Sequence, residues 1–340
     1  MARKNKRGNI TNMYATGNKK MLNMLILEVL RQYTDENHSL TQQDIIKLLD
    51  QNYGMPCDRR SVKANVLSLR EMGYDIDMED GYRLLAREFD DSELRILIDS
   101  VLFSKSISTR QAKDLIGKIQ GMASNFFNAK VSHVSNLPEL HRTINKQAMY
   151  GLDTLNDAIA AKHQVSFMYN DVGTDFKLHP RWNMRYVVNP YQIVACNGRF
   201  YLIGNYDKYD NISHFRIDKM TDVEELDSKV KPMKKVEGLE HGLNLPKHMA
   251  EHVYMFSGPS VNVKMETTRD VFSDITDWFG TDIKIVEEDG NKLILRVSCN
   301  ENAMRYWALQ YGPSVEILEP QSLRERIISD IKDMAKRYKD

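Results

Sequence analysis

Asn197-Gly198 stands between two short runs of alternating apolar and polar residues, Tyr191 to Cys196 and Arg199 to Asn205. Both residues of the pair tolerate the positive φ of a type I′ turn, so the chain is committed to fold back on itself at this point. A third run, His214 to Met220, follows, and another candidate strand, Gln164 to Tyr169, precedes them. Short antiparallel strands so closely spaced imply a small barrel or a strongly bent sheet. Along it runs a polar set: His179, Arg181, Tyr191, Arg199, Tyr201, His214 and Arg216. A guanidinium fork matches phosphate and a tyrosine ring stacks on bases, so this set suits an anionic or nucleotide-like ligand. Some members have plainer readings. Tyr191, Phe200 and Phe215 read as core, and Asp218 reads as the residue that orients Arg216.

A length of 340 residues exceeds one ordinary core and implies two or three domains. The composition, 42% apolar and 28% charged, is that of a soluble globular protein, with no apolar run long enough to cross a bilayer. The basic start, Met-Ala-Arg-Lys-Asn-Lys-Arg, is not followed by the apolar stretch of a signal peptide. Cys57, Cys196 and Cys299 lie far apart without a CxxC pair, which argues for a reducing cytoplasm and against a disulfide framework or a cysteine zinc site. The expected location is therefore cytoplasmic, with no membrane partner. Net charge is zero, yet residues 1–20 carry Arg3, Lys4, Lys6, Arg7, Lys19 and Lys20 and no acid. Such an arm fits either a DNA-binding amino-terminal module or a solubilising tail.

Three apolar stripes follow the arm. Met21, Leu22, Met24, Leu25, Leu27, Val29 and Leu30 mark a helix packed on several sides. Thr41-Gln-Gln-Asp44 reads as the start of a second, capped by Thr41, with Ile45, Ile46, Leu48 and Leu49 inward. Asp58 can cap a third, Arg59 to Met72, whose buried stripe is Val62, Val66, Leu69 and Met72. The alternating run Tyr74 to Leu85 then folds about Asp80-Gly81 as a hairpin. Three helices and a hairpin make a winged helix-turn-helix, whose third helix would enter the major groove. Arg59, Arg60, Ser61 and Lys63 stand on its outer side as candidate DNA contacts, and Arg83 on the hairpin could reach the neighbouring phosphates. A protein-contact module with ordinary surface charges is the alternative.

Ser92 to Phe103 and Thr109 to Phe127 read as two connecting helices, and residues 131–148 as a polar linker with Pro138. Leu152, Leu155 and Ile159 mark a short helix before the barrel strands. The crossing with Lys229, Lys231, Lys234 and Lys235 reads as a solvated loop. Beyond it the pattern is β-α-β-β-α-β with an added helix: Ser260 to Met265, Arg269 to Phe279, Ile283 to Val286, Leu293 to Val297, Glu301 to Gln310, Ser314 to Leu318 and Leu323 to Tyr338. That order is similar to a ferredoxin-like split βαβ unit.

Several of these segments resemble the WYL-domain regulators of bacteria. The namesake Trp-Tyr-Leu appears as Phe200-Tyr201-Leu202, preceded by Pro190-Tyr191 and Gly198-Arg199. The downstream pattern Arg-x-Phe-Arg-Leu-Asp-Arg-Ile appears as Ser213-His214-Phe215-Arg216-Ile217-Asp218-Lys219-Met220. Phe200 replaces Trp, and Ser213 and Lys219 replace arginines. Asp58 to Ile76 resembles the helix-turn-helix of the same regulators, with Ala64 where a basic residue is frequent. Trp307, Gln310-Tyr-Gly312 and Pro320-x-x-Leu-Arg324 resemble their carboxy-terminal extension.

The resemblance implies a multidomain α+β chain. Its parts are a basic arm (1–19), a winged helix-turn-helix (20–87), a helical connector and linker (88–148), a ligand-sensing SH3/Sm-like β-barrel (149–228), a connector (229–257) and a ferredoxin-like α+β domain (258–340). It also implies ligand-binding roles for Arg199, Tyr201 and Arg216. The function expected is that of a homodimeric transcriptional regulator. It would bind double-stranded DNA, respond to a nucleotide or single-stranded nucleic acid fragment, and need no cofactor. The alternative is an accessory factor that binds RNA or a nuclease partner in phage defence.

One further motif invites an enzyme. His248-Met-Ala-Glu251-His252 has the His-x-x-Glu-His order of inverted zinc metallopeptidases. It lies after Pro246 between two small domains, without a recognisable helix carrying a third carboxylate, so exposed histidines, no metal and no enzyme activity are expected. No Gly-rich phosphate loop, GxSxG elbow or paired Cys/His arrangement is present.

Overall fold

In the computed structural model, residues 19–130 and 142–338 are described. The chain divides into two units, Met1–Phe103 with Thr109–His141, and Ser104–Ser108 with Arg142–Asp340. Each is a mixture of helices and sheet. Most of the basic arm, including Arg3, Lys4, Lys6 and Arg7, lies outside the described residues, as does the Pro138 segment.

The first unit opens with helices α1 (Leu22–Tyr33), α2 (Gln42–Tyr53) and α3 (Arg59–Glu71), then strands β1 (Ile76–Asp77) and β2 (Arg83–Leu84). Thr41 and Asp44 form a reciprocal capping box at the start of α2, and Gly54 ends it at φ +60°. The Asp58 carboxylate accepts the Ser61 N–H at 2.8 Å and caps α3. Ile26, Val29, Leu30, Ile45, Leu49, Val62 and Val66 meet at the centre with no exposed surface. Met72 does not join them: it is 70% exposed, because the chain leaves the helix there and Gly73 turns it at φ +97°. Gly81 takes the β1–β2 turn at φ +96°.

Helices α4 (Asp91–Phe103), α5 (Thr109–Gln120) and α6 (Asn125–Lys130) complete this unit. The single helix expected over 109–127 is broken. Gly121 interrupts it, and the Ser124 hydroxyl accepts the Phe127 N–H at 3.3 Å to start the next turn.

In the second unit, α7 (Ala148–Ala161) leads into β3 (His163–Val172), β4 (Leu178–Pro180), β5 (Tyr186–Cys196), β6 (Arg199–Tyr206), β7 (Ile212–Arg216) and β8 (Met220–Lys229). All pairings are antiparallel, in the order β4-β3-β5-β6-β7, with β8 on β3. The sheet therefore curls. The expected single strand His214 to Met220 is two strands separated by a 3-10 turn, Ile217–Lys219, which carries the chain from β7 across to β8. Asn145 fixes that turn: its side-chain amide donates to the Asp218 carbonyl at 3.2 Å and to the Met220 carbonyl at 2.5 Å. Thr143 and Asn145 are buried, so this end of the expected polar linker is part of the domain.

Residues of alternate parity along β6 serve two cores. Phe200 and Leu202 face the interior with Phe167, Val188, Phe215 and Ile217. Tyr201 and Ile203 face outward, where Tyr191, Val194 and Ile212 also lie. Val236, Leu239, Met255 and helix α8 (Leu245–Glu251) cover that outer layer, so residues 229–257 are more than a solvated crossing. Their apolar residues keep no helical or strand period, which is why the pattern did not reveal them.

Gly204 on β6 admits no side chain. A Cβ there would lie 2.8 Å from the Asn189 carbonyl oxygen and 2.9 Å from Val188 Cγ1. A backbone carbonyl inside a sheet cannot yield, so Gly204→Ala is expected to cost about 1–3 kcal/mol. Urea denaturation followed by far-ultraviolet circular dichroism measures this, and an unchanged midpoint would contradict it.

The remainder holds β9 (Ser260–Thr268), α9 (Phe272–Phe279), β10 (Lys284–Asp289), β11 (Lys292–Asn300), α10 (Glu301–Gln310), β12 (Val315–Glu319) and α11 (Gln321–Arg337). The antiparallel sheet order is β10-β11-β9-β12. Fully buried Trp307 packs its ring edge-on to Phe279 at 4.9 Å. No described helix is long and apolar enough to cross a membrane.

Candidate functional site

Strand pairing places Tyr201 opposite Arg216 and Arg199 opposite Cys196. The two arginines converge on Asp218. Arg199 Nη1 donates to Oδ2 at 2.5 Å, while Arg216 donates through Nε to Oδ1 at 3.1 Å and through Nη2 to Oδ2 at 2.7 Å. The Asp218 side chain is only 5% exposed, against 21% and 30% for its partners. Burial pulls the Arg216 guanidinium down, but the bond to Asp218 and its charge outweigh this and raise it. Burial pushes the Tyr201 hydroxyl up, so it remains a proton donor near neutral pH. The result is a doublet of cations around one carboxylate, with one positive charge in excess and most guanidinium N–H groups left over.

A brace from outside the sheet holds this doublet. The Lys105 N–H donates to the Gly198 carbonyl at 2.7 Å, and the Phe200 N–H donates to the Ser106 hydroxyl at 2.8 Å. Arg142 and Thr143 bond in turn to Ser104 and Lys105.

The other expected ligand residues do not join the ion pairs on Asp218. Arg181 is held by Asp171 through a fork at 2.8 and 2.9 Å and lies over the Tyr169 ring, 5.0 Å from its centroid. Lys219 shares Asp171 at 2.8 Å, and the two cations hold that carboxyl well below the usual range. His179 pairs with Asp175 at 2.9 Å on the exposed β3–β4 hairpin. Tyr191 belongs to the outer core: it is buried, and its hydroxyl donates to the Lys231 carbonyl at 2.8 Å. That removes Tyr191 from the surface set, because both its ring and its polar tip are already used.

His214 also leaves the arginine doublet. Its Nε2 lies 2.7 Å from His248 Nε2, and its Nδ1 is buried without a hydrogen-bond partner. His252 completes the group, with ring centroids 5.0 Å from His214 and 4.0 Å from His248. The exposed histidines expected in the His-x-x-Glu-His motif are instead half-buried (His248) and buried (His252), since Asn244 caps a real helix there and its inner face meets β7. Burial and neighbouring imidazoles push His214 down to about 3; burial chiefly pushes His248 to about 4. Both rings are neutral at physiological pH. Sequence reasoning had His214 and the motif as separate features, since nothing in their spacing joins them.

On the first unit, Arg59, Arg60 and Lys63 are exposed at the start of α3 and make no ion pair among the described residues. Ser61 is partly committed, its hydroxyl donating to Asp58 at 3.2 Å. Arg83 is corrected. Its Nε donates to Asp77 at 2.9 Å and its Nη1 to the Glu36 carbonyl at 3.1 Å, so it braces the hairpin. The hairpin tip carries exposed Glu79 and Asp80, which repel phosphate.

Residues 151–225 match the WYL domain and residues 259–335 match the WCX domain. The chain thus carries a WYL domain followed by a WCX domain. Among solved structures it is similar to proteasome accessory factor B/C (PafBC) of Arthrobacter aurescens, at 15% identity and a TM-score of 0.30. That match covers 95% of this chain and 49% of the other, so the chain spans about half that protein's length. It is also similar to a CRISPR Cas-related protein, at 14% identity and a TM-score of 0.38, covering 74% of this chain and 75% of that one. No curated protein matches.

Proposed function

We propose that this chain is a cytoplasmic, homodimeric DNA-binding transcriptional regulator without enzyme activity. In this reading the α1–α3 and β1–β2 module is a winged helix-turn-helix. The curled sheet of β3–β8 is an SH3/Sm-like barrel that senses a nucleotide or single-stranded nucleic acid fragment, and β9–α11 is a ferredoxin-like domain. The observation that carries the DNA-binding part is the start of α3, where Arg59, Arg60 and Lys63 project without acid partners among the described residues. Arginine there can take phosphate or a guanine edge. The acidic hairpin tip argues that α3, and not the wing, makes the close contact. A gel shift on the DNA upstream of the protein's own coding region tests the reading. Retarded duplex with competition by excess unlabelled site is expected; no retardation at micromolar protein and low salt would overturn it.

Dimerisation is supported by α11, whose Ile328, Ile331 and Met334 are 39%, 51% and 44% exposed along one stripe. They border a cleft of about 570 Å³ that also takes in Leu309 and Pro313. A two-fold pairing through this stripe would double the contacted site and suit a palindromic operator. The native chain is expected to run as a dimer by light scattering and Ile328→Glu with Ile331→Glu as a monomer. A monomeric native chain, free and on DNA, would refute this.

A further inference from the structure

We propose that His214, His248 and His252 bind one divalent transition-metal ion of the zinc type, which clamps helix α8 onto strand β7. The three side chains each offer a nitrogen, and these nitrogens all lie within 4.8 Å of one another. His248 stands on α8, His252 caps its carboxy-terminal end four residues on, and His214 faces them from β7. Imidazole is the ligand of zinc, copper, nickel and cobalt; magnesium and calcium require oxygen.

The finer geometry agrees. The His252 Nδ1 lies 2.9 Å from the His248 carbonyl, to which it donates its proton. That bond fixes the tautomer and leaves Nε2 with a lone pair for a metal, as outer partners do in histidine sites. The Nε2 atoms of His214 and His248 oppose each other at 2.7 Å. Two zinc–nitrogen bonds of about 2.0–2.1 Å at a tetrahedral angle span roughly 3.3–3.4 Å, so the rings need separate by well under 1 Å.

A cleft of about 500 Å³, lined by His248 and His252 with Asn211, Glu237 and Ser260, opens on the site and leaves room for a water as fourth ligand. Glu251 also lines this cleft, and its carboxylate accepts the Ser298 hydroxyl at 2.8 Å. The part proposed for the ion is mechanical. Arg216 is two residues from His214 along β7 and shares its face, so an ion that seats α8 also fixes the helix bordering the arginine doublet.

The test uses the full chain, stripped with chelator and dialysed. Zinc titration by calorimetry and elemental analysis should give one ion per chain, with a higher melting temperature in the bound form. His214→Gln, His248→Gln and His252→Gln should each weaken binding by more than the roughly 10–100-fold that losing an outer partner costs. His179→Gln, at an exposed histidine, should leave it unchanged. Binding that persists in all three variants would place the ion elsewhere and overturn the proposal, as would no binding above the triple variant. Should the variants fail to fold, cobalt in the unaltered chain decides. An intense visible band of four- or five-coordinate cobalt is expected, and the pale spectrum of a six-coordinate ion would count against the site.

Discussion

Replacing Arg59 and Arg60 together by alanine is expected to lower the slope of log affinity against log salt for duplex DNA by about two units. Each phosphate contact releases close to one condensed counterion, so two lost contacts remove roughly 1.8 from the slope. Across a fourfold rise in salt, the native protein should lose roughly tenfold more affinity than the variant. The helix itself should survive, because alanine is the best helix former and the Asp58 cap is untouched. Affinity should fall on every sequence if the contacts are phosphates; a loss confined to one operator base would assign that arginine to a guanine edge. Fluorescence anisotropy over a salt series measures both. An unchanged slope with unchanged affinity would move DNA binding away from α3.

The arginine doublet predicts a second large effect, on stability. Arg199→Ala with Arg216→Ala leaves the Asp218 carboxylate, 5% exposed, without its two cations. Removing the partners of a buried charge costs about 3–5 kcal/mol, whereas removing all members together costs far less. Adding Asp218→Ala to the double variant should therefore recover most of the lost stability, a non-additivity of several kcal/mol. At roughly 2–4 °C per kcal/mol for a unit this size, scanning calorimetry resolves the difference easily. A triple variant no more stable than the double would show that Asp218 finds other partners. The triple variant is also the cleaner probe of ligand binding, because it removes the cations from a chain that still folds. If a single-stranded oligonucleotide binds it as tightly as the native chain, the doublet is structural only.

The folded hairpins were legible because their signals are local. Asn197-Gly198 takes positive φ at both positions, +51° and +73°, as a turn that matches the twist of its strands requires. The α2 start was legible for the same reason, since Thr41 and Asp44 are three residues apart and need no tertiary partner. Met72 was misread because helical period continues past the point where Gly73 ends the helix. The arginines could be placed on adjacent strands from their register, and Asp218 beside Arg216, but not the arrival of Arg199 on the same carboxylate. That depends on the 3-10 turn at Ile217–Lys219, and the turn is held by Asn145, far away in sequence. His214 was placed with the arginines by strand alternation, which is correct for its face but silent about what covers that face. The covering helix comes from a segment with no regular period.

The short stretch Ser104–Ser108, bonded to the Gly198 turn, has a topological consequence. It sits with the second unit while the residues on either side of it, through Phe103 and from Thr109, sit with the first. The backbone therefore crosses between the units three times: after Phe103, after Ser108 and after His141. A single protease cut at any crossing yields two fragments with no covalent link, held together only by the packing inside a unit that both fragments share. Neither unit is one uninterrupted stretch of the chain.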